Sequence, residues 1–316
     1  MRARRSAATG ARRGDASSDN GEALVRSRPA AEADDHRQVT TLGSAGAARD
    51  LGRALEGLGR WDEAVEAHRQ AGEWGEADAL LDLAIAGLRL ERWTEARDAA
   101  RRAMTLGKVE AHGPLGAALR ELGDYSGARA VLEAALRAGD AAAATQLALL
   151  LRELGDHRQA EEVAHQAAAL GSAVATAVLV HWQWDATGDA GLEADLRASA
   201  DAYEVARVDL AQLLRRTGRV TEAREVLQVG VDKGERTAHL PLGNLLWDHY
   251  GDADAAEAAY RAGVAAGDPY SHHNLGVLLL ACGDGGAAIR EFGLGAAAGD
   301  HLATATLWLI DPHPSR

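Results

Sequence analysis

The chain of 316 residues contains 71 alanines and 35 glycines but a single phenylalanine, so most of its apolar side chains are small. Alanine favours helices and is weak in strands, which excludes an all-β fold and predicts helices that pack closely together. The net charge is −13, and residues 1–40 carry eight basic and six acidic side chains, so the negative excess lies in the rest of the chain and disfavours nucleic acid as its ligand.

Residues 1–44 mix arginine, serine, alanine, glycine and acids without helical periodicity, and we predict a disordered tail there. Its first 14 residues hold five arginines and no acid. Such a tail could attract nucleic acid, but it has no interleaved aromatic residues to stack on bases. No apolar segment follows the arginines, so we expect neither a signal peptide nor a membrane span, and a soluble cytoplasmic protein.

A repeat occupies residues 45–300. Glycines recur at intervals of 30 to 33 residues, and most are preceded by a Leu-Gly or Leu-Ala pair, which we call the register pair. These turn glycines are Gly59, Gly123, Gly155, Gly188, Gly218, Gly251 and Gly283, and Glu91 fills the one gap. The register pairs are Leu51-Gly52, Leu83-Ala84, Leu115-Gly116, Leu147-Ala148, Leu210-Ala211, Leu242-Gly243 and Leu275-Gly276. The spacing predicts eight units.

Each unit is predicted to be a helix–turn–helix hairpin. Apolar residues recur three and four positions apart on both sides of the turn glycine, as on an amphipathic helix. Glycine ends the first helix because it adopts the left-handed conformation without a Cβ clash, and the Asp that often follows caps the second helix. A second set of glycines ends the second helices: Gly75, Gly107, Gly139, Gly171, Gly234, Gly267 and Gly299. A hairpin this small buries its apolar faces only by stacking on its neighbours.

The last unit carries the pattern most fully, with Asn274-Leu275-Gly276, Gly283-Asp284, Ala288 and Phe292. This order and spacing resemble the tetratricopeptide repeat family, and the high alanine and glycine content also fits its Sel1-like variant. The resemblance implies an all-α, right-handed superhelical solenoid of about eight helix–turn–helix repeats of 32–33 residues over 45–300, followed by a C-terminal helix and short tail at 301–316. It further implies a non-catalytic protein–protein interaction scaffold, whose first helices line a concave groove that binds a peptide or protein segment.

Outward positions on the first helices predict the groove. The row counted from the register pairs is more basic than the chain as a whole, and guanidinium groups with aromatic neighbours suit acidic or extended peptides. Its members are Arg49, Arg53, Arg120, Arg152, Trp182, Gln212, Arg215, Asn244, Trp247, Tyr270 and His273. The same arginines could instead serve only to keep the surface soluble.

The unit around Gly188 departs from the pattern. Glu193 and Arg197 stand where a small and a large apolar residue are expected, and Trp182 and Trp184 crowd the first helix. We expect irregular packing there, from decay of the repeat or from a specialised binding wall beside the tryptophans.

The sequence offers no catalytic or metal-binding pattern. It has no H-E-x-x-H, P-loop or G-x-S-x-G segment, and His272 and His273 point about 100° apart on a helix, so we expect no enzyme activity, cofactor or metal. Cys282, the single cysteine, excludes sites built from several cysteines and is expected to be a buried structural thiol.

The C-terminal segment Leu307, Trp308, Leu309 and Ile310 is apolar and is expected to pack in part on the last hairpin. The remainder would suit self-association or a partner. The alternative to the scaffold is a regulator that binds nucleic acid through the basic tail. The excess of arginine over lysine indicates a GC-rich bacterial genome.

Overall fold

The computed structural model describes residues 44–310, and this part of the chain contains 17 α-helices, three short 3-10 segments and no strand. The helices of the described residues form two compact units, residues 44–150 and 151–310, with the boundary inside one helix. The first unit contains α1 (Ala45–Gly57), α2 (Trp61–Glu73), α3 (Ala77–Arg89), α4 (Trp93–Thr105), α5 (His112–Glu121), α6 (Tyr125–Arg137) and most of α7 (Ala141–Glu153). The tail predicted at the N-terminus lies almost entirely outside the described residues.

The second unit contains ten complete helices, in which the hairpin pattern continues. They are α8 (His157–Ala169), α9 (Ala173–Thr187), α10 (Glu193–Ser199), α11 (Glu204–Arg216), α12 (Val220–Asp232), α13 (His239–Asp248), α14 (Ala253–Ala265), α15 (Tyr270–Ala281), α16 (Gly285–Ala297) and α17 (His301–Ile310). Odd-numbered helices are the first helices of eight hairpins, and α17 follows the last hairpin. The predicted all-α fold of eight hairpins is confirmed.

The turn glycines adopt the conformation that the sequence predicts. Gly59 and Gly123 have φ angles of 71° and 77°, and the other predicted turn glycines are also left-handed. Asp124 and Asp284 then cap the next helices, since each Oδ1 accepts a hydrogen bond of 2.9 Å from the amide three residues on. The connection between the two helices of a hairpin is therefore short and fixed.

At the register pairs that contain glycine, a large side chain of the second helix lies directly against the first helix. A Cβ on Gly116 would lie 2.5 Å from Leu132 Cδ2, and one on Gly276 would lie 2.6 Å from Phe292 Cε1. Gly52 and Gly243 meet His68 and Tyr260 in the same way. Phe292 is completely buried. The absent side chain of the glycine thus makes room for a large side chain from the second helix.

The unit around Gly188 is irregular, as predicted. Its first helix, α9, runs for 15 residues, and its second helix, α10, has only seven and follows a 3-10 turn at Ala190–Leu192. Trp182 and Trp184 are each only 5% exposed. The guanidinium groups of Arg152 and Arg216 lie over their rings, 4.6 and 5.1 Å from the centroids. The tryptophans therefore belong to the core and offer a ligand little surface.

The prediction that Cys282 is buried is wrong, because its side chain is exposed. Cys282 is the C-cap residue of α15, immediately before the turn glycine Gly283, where the chain leaves the contact between the two helices.

Glu91 takes the turn position without the freedom of glycine, with a φ of 58°. Because a left-handed residue with a Cβ costs about 1–2 kcal/mol, we expect Glu91→Gly to raise the free energy of unfolding by about 1 kcal/mol. Thermal or urea denaturation measures this. Gly123→Ala, which introduces a Cβ at the equivalent turn, is the matched control and should destabilise the protein; a destabilising Glu91→Gly would contradict the account.

The close approach at the register pair predicts opposite effects for two glycine-to-alanine changes. Gly276→Ala forces a methyl group against buried Phe292 and is expected to cost about 1–3 kcal/mol. Gly293, in α16, has no atom within 4 Å of an added Cβ, so Gly293→Ala is expected to stabilise the helix by up to about 1 kcal/mol. Denaturation curves of the two variants test the pair; equal effects would show that the approach at Gly276 is not tight.

A buried guanidinium joins three segments of the second unit. Arg207 of α11 is only 4% exposed and donates to Glu235 Oε2 at 2.8 Å and to Asp201 Oδ1 at 2.7 Å. Lys233 Nζ also donates to Asp201, and the hydrogen bonds from Lys233 and Arg207 lower the pKa of Asp201 to about 2. Since Asp201 itself is exposed, solvent and salt weaken its ion pairs.

The lowered pKa of Asp201 predicts an acid-dependent loss of stability. An aspartate with a depressed folded-state pKa stabilises the fold above its unfolded pKa, near 3.8, and this contribution disappears as the pH falls through about 2. Asp201→Asn should therefore be less stable than the wild type above about pH 4 and converge with it below about pH 2. Denaturation at a series of pH values tests this, and stability curves that stay parallel would contradict it.

Candidate functional site

Polar side chains connect some pairs of successive first helices at equivalent positions. The residue two positions after the leucine of one register pair meets the residue one position before the next register leucine. Arg53 of α1 donates to Asp82 of α3 at 3.0 Å, and Asn274 of α15 donates to Asn244 of α13 at 2.7 Å. Asp209 of α11 occupies the second of these positions and lies 2.7 Å from His181 Nδ1 of α9. We call each such side-chain pair a rung.

The rung is missing between α11 and α13. Gln212 and Pro241 hold its two positions, and a proline side chain has no atom that forms a hydrogen bond. Pro241 is tolerated because it lies in the first turn of α13, where backbone amides lack helical partners. In the second unit α9 packs on α11, α13 on α15 and α15 on α17, whereas α11 and α13 pack less closely.

A second row of side chains lies three residues before each turn glycine. Arg152 and Asp185 hold this position in successive hairpins and form an ion pair of 3.5 Å. Arg215 and Asp248 are the corresponding residues of α11 and α13. They are exposed and form no ion pair with each other or with another described residue. Between α11 and α13, therefore, both the rung and the ion pair are missing.

The gap is a cavity of about 820 Å³ that α11, α12 and α13 enclose. We call it the α11–α13 cleft. Buried apolar residues form its floor: Ala211, Ala223, Leu227 and Leu245. Its polar lining consists of Gln212, Arg215, Thr221, Asn244, Asp248, His249 and Tyr250. The cleft therefore combines both charges, two side-chain amides and an apolar base.

Asn244 has a fixed orientation in the cleft. Its Oδ1 accepts hydrogen bonds of 2.7 Å from Tyr260 Oη and from Asn274 Nδ2. Burial, aided by the charge of Asp248, raises the pKa of Tyr260, so its hydroxyl stays protonated and remains a donor. The amide nitrogen of Asn244 has no partner among the described residues and is available to a ligand.

An apolar hollow of about 310 Å³ adjoins the cleft. Val205, Val208, Leu240 and Pro241 supply its apolar wall, and Thr237 and Asn244 complete it. Val208, Pro241 and Asn244 line both spaces. One continuous surface thus runs from the charged end at Arg215 to the apolar end at Val205.

Three of the eleven residues that the sequence predicts for a groove lie together in this cleft: Gln212, Arg215 and Asn244. The sequence analysis did not select Asp248 or Pro241, which also line the cleft. Asp248 could have been found because it lies three residues before a turn glycine. Pro241 could have been found because it holds a rung position that is polar in other hairpins. His249 and Tyr250 follow α13 and have no counterpart in the repeat pattern.

The predicted arginines outside the cleft form ion pairs with acidic side chains of the chain itself. Arg49 and Arg53 both donate to Asp82, and the hydrogen bond from Arg53 to that carboxylate raises the pKa of the arginine. Arg120 pairs with Glu121 at 2.7 Å. Arg152 pairs with Asp185 and covers Trp182. Each of these charges thus already has an acidic partner within the chain.

The predicted aromatic residues are also separate from the cleft. Trp182 is buried, and Trp247 is half-buried against the core of the second unit. Tyr270 is 46% exposed, with its ring 6.5 Å from that of His301. His273 contacts Asn274 Oδ1 at 3.1 Å and Thr306 Oγ1 at 3.2 Å.

The adjacent histidines point to different neighbours, since His272 Nδ1 lies 2.8 Å from Glu291 Oε2 while His273 turns to Thr306. Over residues 44–310 no three or more histidine, cysteine or acidic side chains are grouped as a metal would require. None of the helices in that range has both the length and the hydropathy to cross a bilayer.

The C-terminal helix α17 leaves apolar side chains exposed. Leu307 packs against the core of the second unit, whereas Trp308 and Leu309 are 60% and 83% exposed. Self-association through this segment stays a prediction.

The repeated hairpins and their facing rows define an all-α helical-repeat protein. Residues 47–73, which span most of α1 and α2, match the tetratricopeptide repeat family model. The predicted resemblance to this family is confirmed. No curated protein matches the chain by sequence.

Two solved structures with TM-scores above 0.5 show the same kind of fold at low sequence identity. Human IFIT1, solved as a dimer with m7Gppp-AAAA, is 15% identical with a TM-score of 0.54, over 81% of this chain and 72% of that one. The Cut9–Hcn1 hetero-tetramer of the APC/C is 14% identical with a TM-score of 0.51, over 83% and 75%. The protective antigen c5321 of uropathogenic Escherichia coli, which displays an SLR fold, is 21% identical with a TM-score of 0.43, over 90% and 68%.

Proposed function

We propose that this chain is a non-catalytic interaction scaffold that binds an extended segment of a protein partner in the α11–α13 cleft. The observation that carries the proposal is the pair of open contacts in that cleft, at Gln212 opposite Pro241 and at Arg215 opposite Asp248. A ligand there replaces water on groups that elsewhere in the second unit bind each other.

An extended peptide suits these groups. The side-chain amides of Gln212 and Asn244 can each donate to a peptide carbonyl, and Gln212 can also accept from a peptide N–H. An apolar floor with a few placed polar groups is typical of recognition sites. Main-chain hydrogen bonds would supply affinity, and the charged and apolar ends would select the sequence.

A protein segment is favoured over nucleic acid by charge. Residues 44–310 contain 25 basic and 40 acidic side chains, and within the cleft Arg215 is accompanied by Asp248. A phosphate backbone requires a surplus of basic groups. RNA accompanies IFIT1 in its structure, but the likeness to that protein is one of fold alone. The arginines of residues 1–44 would be the route for the alternative.

The composition supports a bacterial protein of the cytoplasm. Arginine outnumbers lysine by 32 to 2, as in GC-rich genomes, and one cysteine in 316 residues suits a reducing compartment.

The chain offers a matched pair of prolines to test the proposal. Pro241 and Pro114 both lie in the third position of a first helix beginning at a histidine, one residue before the register leucine. Pro241→Asn supplies the amide that Gln212 lacks and is expected to close the cleft. Pro114→Asn makes the same change in α5, where the preceding first helix offers Ile85 in place of a polar residue.

The measurement is the recovery of proteins with the tagged chain from its native cell. We expect a partner that is recovered with the wild type and with Pro114→Asn. The amount recovered with Pro241→Asn should be about tenfold lower, which corresponds to ~1.4 kcal/mol of binding free energy. Helical circular dichroism should be equal in all three. A partner retained by Pro241→Asn would contradict the proposed site. Recovery of nucleic acid alone, lost on deletion of residues 1–43, would establish the alternative function.

A further inference from the structure

The charged end of the α11–α13 cleft is complementary to a ligand that carries two opposite charges. Arg152 and Asp185, at the corresponding positions of α7 and α9, pair with each other at 3.5 Å. Arg215 and Asp248 stand on facing helices with no partner in the described chain. A carboxylate in the ligand would form charge-assisted hydrogen bonds with Arg215, and a basic group would form them with Asp248.

The two charges belong on neighbouring residues of an extended ligand. Successive side chains of an extended chain point to opposite sides. A segment running between α11 and α13 therefore turns one side chain toward Arg215 and the next toward Asp248.

The distance between the apolar and charged ends of the cleft sets the spacing between the apolar and charged residues of the ligand. Val205 and Arg215 are ten residues apart on α11, and a rise of about 1.5 Å per residue separates them by about 15 Å along the helix. An extended peptide advances about 3.3 Å per residue, so four or five residues cover this span. An apolar side chain at that spacing reaches the hollow that Val205, Val208 and Leu240 form.

We propose that the partner segment is an extended peptide with adjacent acidic and basic residues and an apolar residue four or five positions away. The acidic side chain binds Arg215, the basic one binds Asp248, and the apolar one enters the hollow at Val205 and Val208. Gln212 and Asn244 hold the main chain between these ends. This assignment rests on the proposed function, because it specifies the segment that the same cleft binds.

Selection from a library of random peptides, each long enough to span the cleft, tests the assignment on the full chain. Peptides enriched by the wild type should share the charged pair and the apolar residue at the stated spacing. Arg215→Glu should change the preference at the acidic position to lysine or arginine, and Asp248→Lys should change the preference at the basic position to aspartate or glutamate.

Two comparisons complete the test. Arg120→Glu, which makes the same charge reversal outside the cleft, should leave the enriched pattern unchanged. A selected peptide should bind Arg215→Glu about tenfold more weakly than the wild type and regain its affinity when its acidic residue is replaced by lysine. Equal circular dichroism spectra show that the variants fold.

The outcomes separate the two proposals. Enriched peptides that lose binding to Pro241→Asn but lack the charged pair or the spacing would overturn the assignment and leave the cleft as the binding site. Enrichment of no peptide, or of peptides that bind Pro241→Asn as well as the wild type, would overturn the proposed function and the assignment with it.

Discussion

Four of the eight hairpins share one steric constraint, the space that a glycine leaves at the register pair for a large side chain of the second helix. Phe292 fills the position that a Cβ on Gly276 would occupy, and Leu132 does the same at Gly116. This contact fixes how far one helix slides along the other, because a shift of one residue would bring a side chain into the gap. With the register fixed, equivalent residues of successive first helices in each unit come to face one another.

The facing residues distinguish the α11–α13 cleft from other contacts between first helices of the second unit. Where both partners are polar, as for Asn244 and Asn274, they bind each other and hold the first helices together. Where Pro241 stands in the row, no hydrogen bond forms, and α11 and α13 pack less closely than α9 and α11 do. Pro241 is thus compatible with its own helix but leaves Gln212 without a hydrogen-bond partner on α13.

Local features were predictable from the sequence, and contacts between helices were not. The turn glycines, the aspartate caps and the eight hairpins follow from spacing and backbone preference. The pairing of Arg49 and Arg53 with Asp82 joins residues about 30 positions apart and gives two predicted groove arginines a partner within the chain. The exposure of Cys282 and the burial of Trp182 depend on how individual helices are rotated, which a single row of outward positions does not determine.

The most direct measurement is a crystal structure of the full chain with the peptide that it selects most strongly. The account predicts an extended segment between α11 and α13, its main chain bonded to Gln212 and Asn244 and its carboxylate to Arg215. A peptide bound elsewhere, for example on the exposed Trp308 of α17, would contradict it, and so would a helical peptide within the cleft.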